Sequence, residues 1–117
     1  MLKAVFPGTF DPPTNGHLNL ISRATGLFEK LYVVVAVNQQ KECMFSAEER
    51  RELMVHLLED YHNVEVCLWD KLIVDFADQN DARLLIRGVR ALADFSYEFE
   101  LAMTNKGLKP NIEIMFM

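Results

Sequence analysis

The chain has 117 residues, half of them apolar and a quarter charged, with a formal net charge of -5. That length suits one domain with a modest core, and the acidic balance argues against a general nucleic-acid-binding surface, which needs clustered Lys and Arg. Two cysteines, Cys43 and Cys67, without CxxC or His at ligand spacing, argue against zinc and against a disulfide framework.

Lys3–Phe6 is the first predicted strand, after an N-terminus whose apolar run is too short for a signal peptide. Next comes Pro7-Gly8-Thr9-Phe10-Asp11-Pro12-Pro13-Thr14-Asn15-Gly16-His17, leading into an apolar-periodic segment from Leu18. Pro7 and Gly8 end the strand, since Pro lacks the ladder donor and Gly tolerates backbone angles other residues avoid. Thr14 or Asn15 can cap the following helix, and Gly16 keeps its first turn bare for a ligand. His17 falls in that turn, beside backbone N–H groups that have no helical partner and where phosphate binds readily. A stretch built this way can hold a polyphosphate and donate hydrogen bonds to it.

The helix places Leu18, Ile21, Ala24 and Phe28 near one face. Leu31–Val37 is a continuous β-branched run, the mark of a strand buried on both sides. Asn38–Glu42 is a polar loop. Ser46 and Glu49 form a capping box that opens a helix carrying Leu53, Leu57, Leu58 and Tyr61. Val64–Leu68 is the third strand, and Asp70 is expected to cap a short helix with Leu72, Ile73, Phe76 and Ala77. Arg83–Ile86 is the fourth strand and runs into Arg87-Gly88-Val89-Arg90. Asp94–Lys106 reads as a helix with Phe95, Phe99 and Ala102 inward, Gly107 at C′ and Pro110 as a stop. Ile112–Met117 is the fifth strand. No run reaches transmembrane length, so the expectation is a cytoplasmic protein with no membrane partner.

Strands alternating with helices specify an α/β fold, a doubly wound five-stranded parallel sheet with right-handed crossovers. Ligands of such sheets bind beyond the carboxyl ends of the strands, where the strand order reverses. Thr9 and His17 follow strand one, Lys41 follows strand two, and Arg87 and Arg90 follow strand four. If strands one and four are neighbours, these groups converge on one crevice.

Gly8-Thr9-Phe10-Asp11-Pro12 with Thr14-Asn15-Gly16-His17 resembles the HxGH-type signature of the nucleotidylyltransferases, with Thr in its first position. Lys41, Met44-Phe45-Ser46, Glu48-Glu49-Arg50, Leu85-Ile86-Arg87-Gly88-Val89-Arg90, Asp94-Phe95 and Tyr97-Glu98 narrow the resemblance to the bacterial phosphopantetheine adenylyltransferases. It runs from residue 2 to residue 117 and implies a Rossmann-like nucleotidyltransferase fold. It also implies transfer of AMP from ATP to 4′-phosphopantetheine, giving dephospho-CoA and pyrophosphate in coenzyme A biosynthesis. By similarity, Thr9, Lys41, Ile73 and Arg87 contact phosphopantetheine. Thr9, Phe10, His17, Gly88, Val89, Arg90 and Glu98 contact ATP. His17, Lys41 and Arg90, with Mg2+, serve the chemistry, and no residue is assigned as a metal ligand. The partners implied are the two substrates and further copies of the chain, as a hexamer.

Each residue also has a plainer use. His17 can be a polar first-turn residue, Lys41 and Glu98 solvated surface groups, and Arg87 and Arg90 partners of carboxylates such as Asp94. Ile73 is an apolar wall in either case. Of the two thiols, Cys43 beside the expected entrance is the one more open to reaction. Family members continue past strand five into a serine-rich turn and further helices, which the 117 residues do not contain. Residues 1–117 are therefore expected to form a single nucleotidylyltransferase domain without that part. Alternatives are a sister nucleotidylyltransferase with another phosphorylated acceptor, or a truncated form that only binds.

Overall fold

A computed structural model describes residues 2–37, 43–88 and 112–117. Five strands, β1 (Lys3–Gly8), β2 (Lys30–Ala36), β3 (Val64–Trp69), β4 (Leu84–Arg87) and β5 (Glu113–Phe116), form one sheet in the order β3-β2-β1-β4-β5. Every neighbouring pair is parallel. Three described helices connect them: α1 (Asn15–Thr25), α2 (Ala47–Leu57) and α3 (Ile73–Gln79). The expected helix over 94–106 lies outside the described residues.

Side chains alternate across the sheet as the pleat requires. Ala4, Phe6, Leu31, Val33, Val35 and Ile86 face one side, where they pack with Leu20, Ile21 and Ala24 of α1 and Met54 of α2. Val5, Tyr32, Val34 and Leu85 face the other, against Val74, Phe76 and Ala77 of α3. Thus α1 and α2 cover one face and α3 the opposite one. The chain winds outward from β1 through β2 to β3, crosses on α3, and returns to pair β4 with β1. The strand order reverses between β1 and β4, so the crevice expected of a doubly wound sheet opens there.

Two expectations are corrected. Leu53 and Leu57 are not core residues; they are 37% and 44% exposed. The inward stripe of α2 and the turn after it is Arg50, Met54 and Leu58, spaced by four. A buried arginine holds the place where an apolar pattern was sought, which shifts the whole face by one residue. Nor does Asp70 cap α3. Its N-cap is Leu72, with no side-chain cap bond, and the Leu72 carbonyl accepts the indole N–H of Trp69 at 2.8 Å.

Candidate active site at the switch point

The site begins with a missing side chain. A Cβ on Gly8, at the end of β1, would come within 2.8 Å of the Phe10 ring. Phe10 folds back into that space with φ 52, a left-handed backbone that bulky residues rarely adopt. Its ring is 1% exposed. It meets Phe6 edge-on at 5.7 Å and His17 at 4.8 Å between centroids. The Phe10 side chain is therefore the floor under the histidine.

Thr14 is the N-cap of α1, with extended backbone angles. Its hydroxyl accepts the His17 N–H at 3.3 Å, and its own N–H donates to His17 Nδ1 at 3.0 Å. This is a reciprocal capping box with histidine in the position usually taken by Glu or Gln. Gly16 beside it is exposed. A Cβ there would make only ordinary contact, 3.5 Å from the Thr14 hydroxyl. Packing gives no reason for a helical glycine that costs about 1 kcal/mol relative to alanine. Bare backbone at a helix N-terminus is the remaining reason, and it suits an anion.

On the other side of the crevice, β4 ends in Arg87, opposite Phe116 of β5. A Cβ on the next residue, Gly88, would lie 3.3 Å from Leu20 Cδ1 and 4.0 Å from Phe6 Cε1. Gly88 therefore faces α1, close to the helix turn that follows His17. Strand alternation then turns Arg87 to the opposite face, the side of Leu85 and α3. Ile73 opens α3 on that same face and is partly buried against it. The edge of β1 and β4 thus separates two half-sites: His17 and Gly88 on the α1 side, Arg87 and Ile73 on the α3 side. Thr9 stands between them, directly after β1. Lys41, Val89, Arg90 and Glu98 lie outside the described residues.

Two residues with no role in the sequence reading hold this edge together. Arg50 is 3% exposed. Its Nη1 donates to the carbonyls of Thr9 at 2.8 Å and Ala36 at 2.9 Å, and its Nε donates to that of Phe45 at 3.2 Å. One guanidinium thus ties the ends of β1 and β2 to the start of α2. Asp11 accepts the N–H groups of Met44 at 2.6 Å and Phe45 at 2.8 Å. Desolvation pushes the Asp11 carboxyl up, but these two N–H groups, the Cys43 thiol and the Arg50 guanidinium outweigh it and hold the pKa below the ordinary 3.8. A charged residue on the inward stripe of a helix is seldom buried unless it is fully bonded, as Arg50 is.

A family model described as cytidylyltransferase-like matches residues 5–117. A phosphopantetheine adenylyltransferase of Clostridium tetani is 47% identical over 114 residues, covering 97% of this chain and 71% of that protein. Another, from Nitrosomonas eutropha, is 49% identical across the whole chain and 71% of its own length. The chain belongs to the phosphopantetheine adenylyltransferase family. A solved structure, a lipopolysaccharide core biosynthesis protein of Thermoplasma volcanium, superposes with a TM-score of 0.72 at 20% identity, over 100% of this chain and 96% of that one. That likeness establishes the shared fold.

Membership of the phosphopantetheine adenylyltransferases gives the two half-sites a chemistry to be tested against. Among the described residues no group of three His, Cys, Asp or Glu side chains could hold a metal ion. No described helix is long and apolar enough to cross a membrane. Cys67 is a poor nucleophile, because burial, then its hydrogen bond to Glu65 and that group's charge, push its pKa to about 11.

Proposed function

We infer that the chain transfers the adenylyl group of ATP to 4′-phosphopantetheine, forming dephospho-CoA and pyrophosphate in coenzyme A biosynthesis. The observation that carries the reading at the level of this chain is the opposition of Arg87 and Gly88 across the β1–β4 edge. One strand end offers a cation to one face and bare backbone to the other, so two anionic substrates can approach from opposite sides and meet over Thr9.

The acceptor lies on the α3 side in this reading. Arg87 binds its phosphate with the guanidinium fork, Ile73 lines its apolar arm, and Thr9 and Lys41 reach the reacting phosphate. ATP lies on the α1 side, with its phosphates over the helix N-terminus and His17. Gly88, Val89, Arg90, Glu98 and the backbone of Thr9 and Phe10 complete its site. A phosphate oxygen of the acceptor attacks the α-phosphorus, the bond to the bridging α–β oxygen breaks, and pyrophosphate leaves with the electron pair. The nucleophile is already ionised at neutral pH, so no general base is needed. The protein's task is to align two mutually repelling anions and to stabilise charge growing on the α-phosphoryl and departing oxygens. Donors at His17 and Arg90 and the cation at Lys41 suit that task. Magnesium, if bound to the triphosphate, would neutralise part of that charge.

Assembly into a homo-oligomer belongs to the same reading, supported by the exposed apolar Leu53 and Leu57 on α2. A net charge of -5 argues against a general nucleic-acid-binding surface. The deciding experiment measures pyrophosphate from ATP with 4′-phosphopantetheine, and ATP from dephospho-CoA with pyrophosphate. Turnover in both directions is expected. Turnover only with some other phosphorylated acceptor would replace the assignment with a sister activity, and binding without pyrophosphate would reduce it to a binding module.

A further inference from the structure

The hydrogen bond into His17 fixes more than the ring's position. A backbone N–H can only donate, so the 3.0 Å contact from Thr14 N makes His17 Nδ1 an acceptor. An imidazole that accepts at Nδ1 is neutral and carries its proton on Nε2, the ring nitrogen turned away from the helix cap. The Thr14 hydroxyl lies 3.2 Å from the same Nδ1. When its proton turns toward the ring, Nδ1 receives a second donor and the alternative tautomer becomes worse still. The Phe10 ring, edge-on to the imidazole at 4.8 Å, restrains rotation about the histidine's outer bond.

We propose that Thr14 is a positioning residue that locks His17 in the Nε2–H tautomer. The helix cap thereby prepares a phosphate donor before any substrate arrives. A Ser or Thr cap with Glu at the third helical position builds the same box, but presents an acceptor to the ligand. Histidine builds the box and still presents an N–H. The catalytic value of that N–H rests on the adenylyl-transfer reading; the tautomer itself does not.

The first test uses the full chain without substrate, labelled with nitrogen-15 at histidine. Two-bond nitrogen–proton correlation is expected to show His17 with an unprotonated Nδ1 and a protonated Nε2, and an Nδ1–H form as the major species would overturn the proposal. A second arm uses Thr14→Val and Thr14→Ser. Valine removes the hydroxyl that accepts the His17 N–H and closes the box, so the backbone N–H of residue 14 is no longer held against Nδ1. It should mix the tautomers and lower kcat roughly tenfold, about the worth of one hydrogen bond, with KM for 4′-phosphopantetheine unchanged. Serine should restore both the tautomer and kcat. A valine variant that melts earlier yet keeps one tautomer and full kcat would show that Thr14 is a helix cap and nothing more. If the valine variant does not fold, the wild-type and serine spectra still decide, because mixed tautomers in either overturn the lock. Failure of the transfer assay would leave the spectra unaffected, so the two readings fail separately.

Discussion

Helices α1 and α2 are both 11 residues long and both begin with a reciprocal capping box. In α2, Ser46 accepts the Glu49 N–H at 3.1 Å and Glu49 accepts the Ser46 N–H at 3.0 Å. Glu48 adds a second carboxylate to that first turn. The positive end of the α2 dipole is thus answered from within the chain, and an incoming phosphate would meet two carboxylates. The first turn of α1 holds Asn15, Gly16, His17 and Leu18 and has no acid. Its box is closed by a neutral ring, so the remaining N–H groups and the dipole stay available. The residue that closes the box, with Glu48 beside it in α2, therefore separates a helix start answered by carboxylates from one that is not.

Exchanging those residues breaks the comparison most severely. His17→Glu keeps the pattern of a capping box, so α1 and the fold should persist with a melting temperature close to wild type. A carboxylate would then occupy the proposed phosphate site and the N–H donor would be gone. Loss of one preorganised donor typically costs about 10²- to 10³-fold in kcat, and added repulsion should carry the loss past that range. Steady-state pyrophosphate release measures it, with circular dichroism as the control for folding. The reverse exchange, Glu49→His, should leave turnover unchanged. Activity in the His17→Glu variant within tenfold of wild type would mean that the α1 terminus does not serve the reaction.

The same contrast explains what could be read from the residues in advance. Ser46-x-x-Glu49 matches the known box pattern, and the box forms. Thr14-x-x-His17 does not match it, so the role of histidine in the cap emerged only from the coordinates. Strand positions were legible because apolar alternation and β-branched runs record burial directly; the pairing of β1 with β4 stood only as a condition, because burial patterns carry no strand order. Arg50 was not legible as a buried residue, because its partners are carbonyls of Thr9, Ala36 and Phe45 from three separate segments. Backbone carbonyls carry no sequence signature, so a side chain that binds them looks like any surface arginine. The face of α2 was misplaced for that reason.

Arg50 offers the next test, one of stability and geometry rather than of charge at the ligand. Arg50→Met retains much of the side chain's length and apolar bulk but leaves three carbonyls without their donor. Leaving a buried acceptor unsatisfied costs about 1–3 kcal/mol, and partial access of water to the edge should bring the total for the three carbonyls to about 3 kcal/mol. Urea unfolding of the variant should show that loss. Because Thr9 loses its tether, kcat should fall further than the folded fraction accounts for, while His17 keeps its cap. Arg50→Lys should recover part of the stability and less of kcat, since an ammonium can replace Nη1 but has no counterpart of the Nε–H that donates to Phe45. Unchanged stability in Arg50→Met would mean that water satisfies those carbonyls equally well.

The smallest effect concerns acid, and it sharpens the account of α2. The Glu49 carboxyl lies below its ordinary 4.5, chiefly because the Ser46 N–H donates to it, helped by the Ser46 side chain and opposed by desolvation. Asp11 lies below its ordinary 3.8 for the reasons already given. A carboxyl whose pKa is depressed in the folded state stabilises the fold above its unfolded value and loses that contribution as pH falls through the folded one. Both contributions are therefore intact at neutral pH and decline from about pH 4.5 downward. Glu49→Gln keeps an acceptor at the third helical position, so the box survives, but it does not titrate. Its urea midpoint should lie slightly below wild type at neutral pH and fall less steeply on acidification, with turnover at neutral pH unaltered. Asp11→Asn should flatten the acid limb as well, but at a greater loss of neutral stability, because the Met44 and Phe45 N–H groups bond to separate carboxylate oxygens and an amide replaces one of these with a donor. Parallel acid limbs for Glu49→Gln and wild type would show that the α2 box owes nothing to the charge on Glu49.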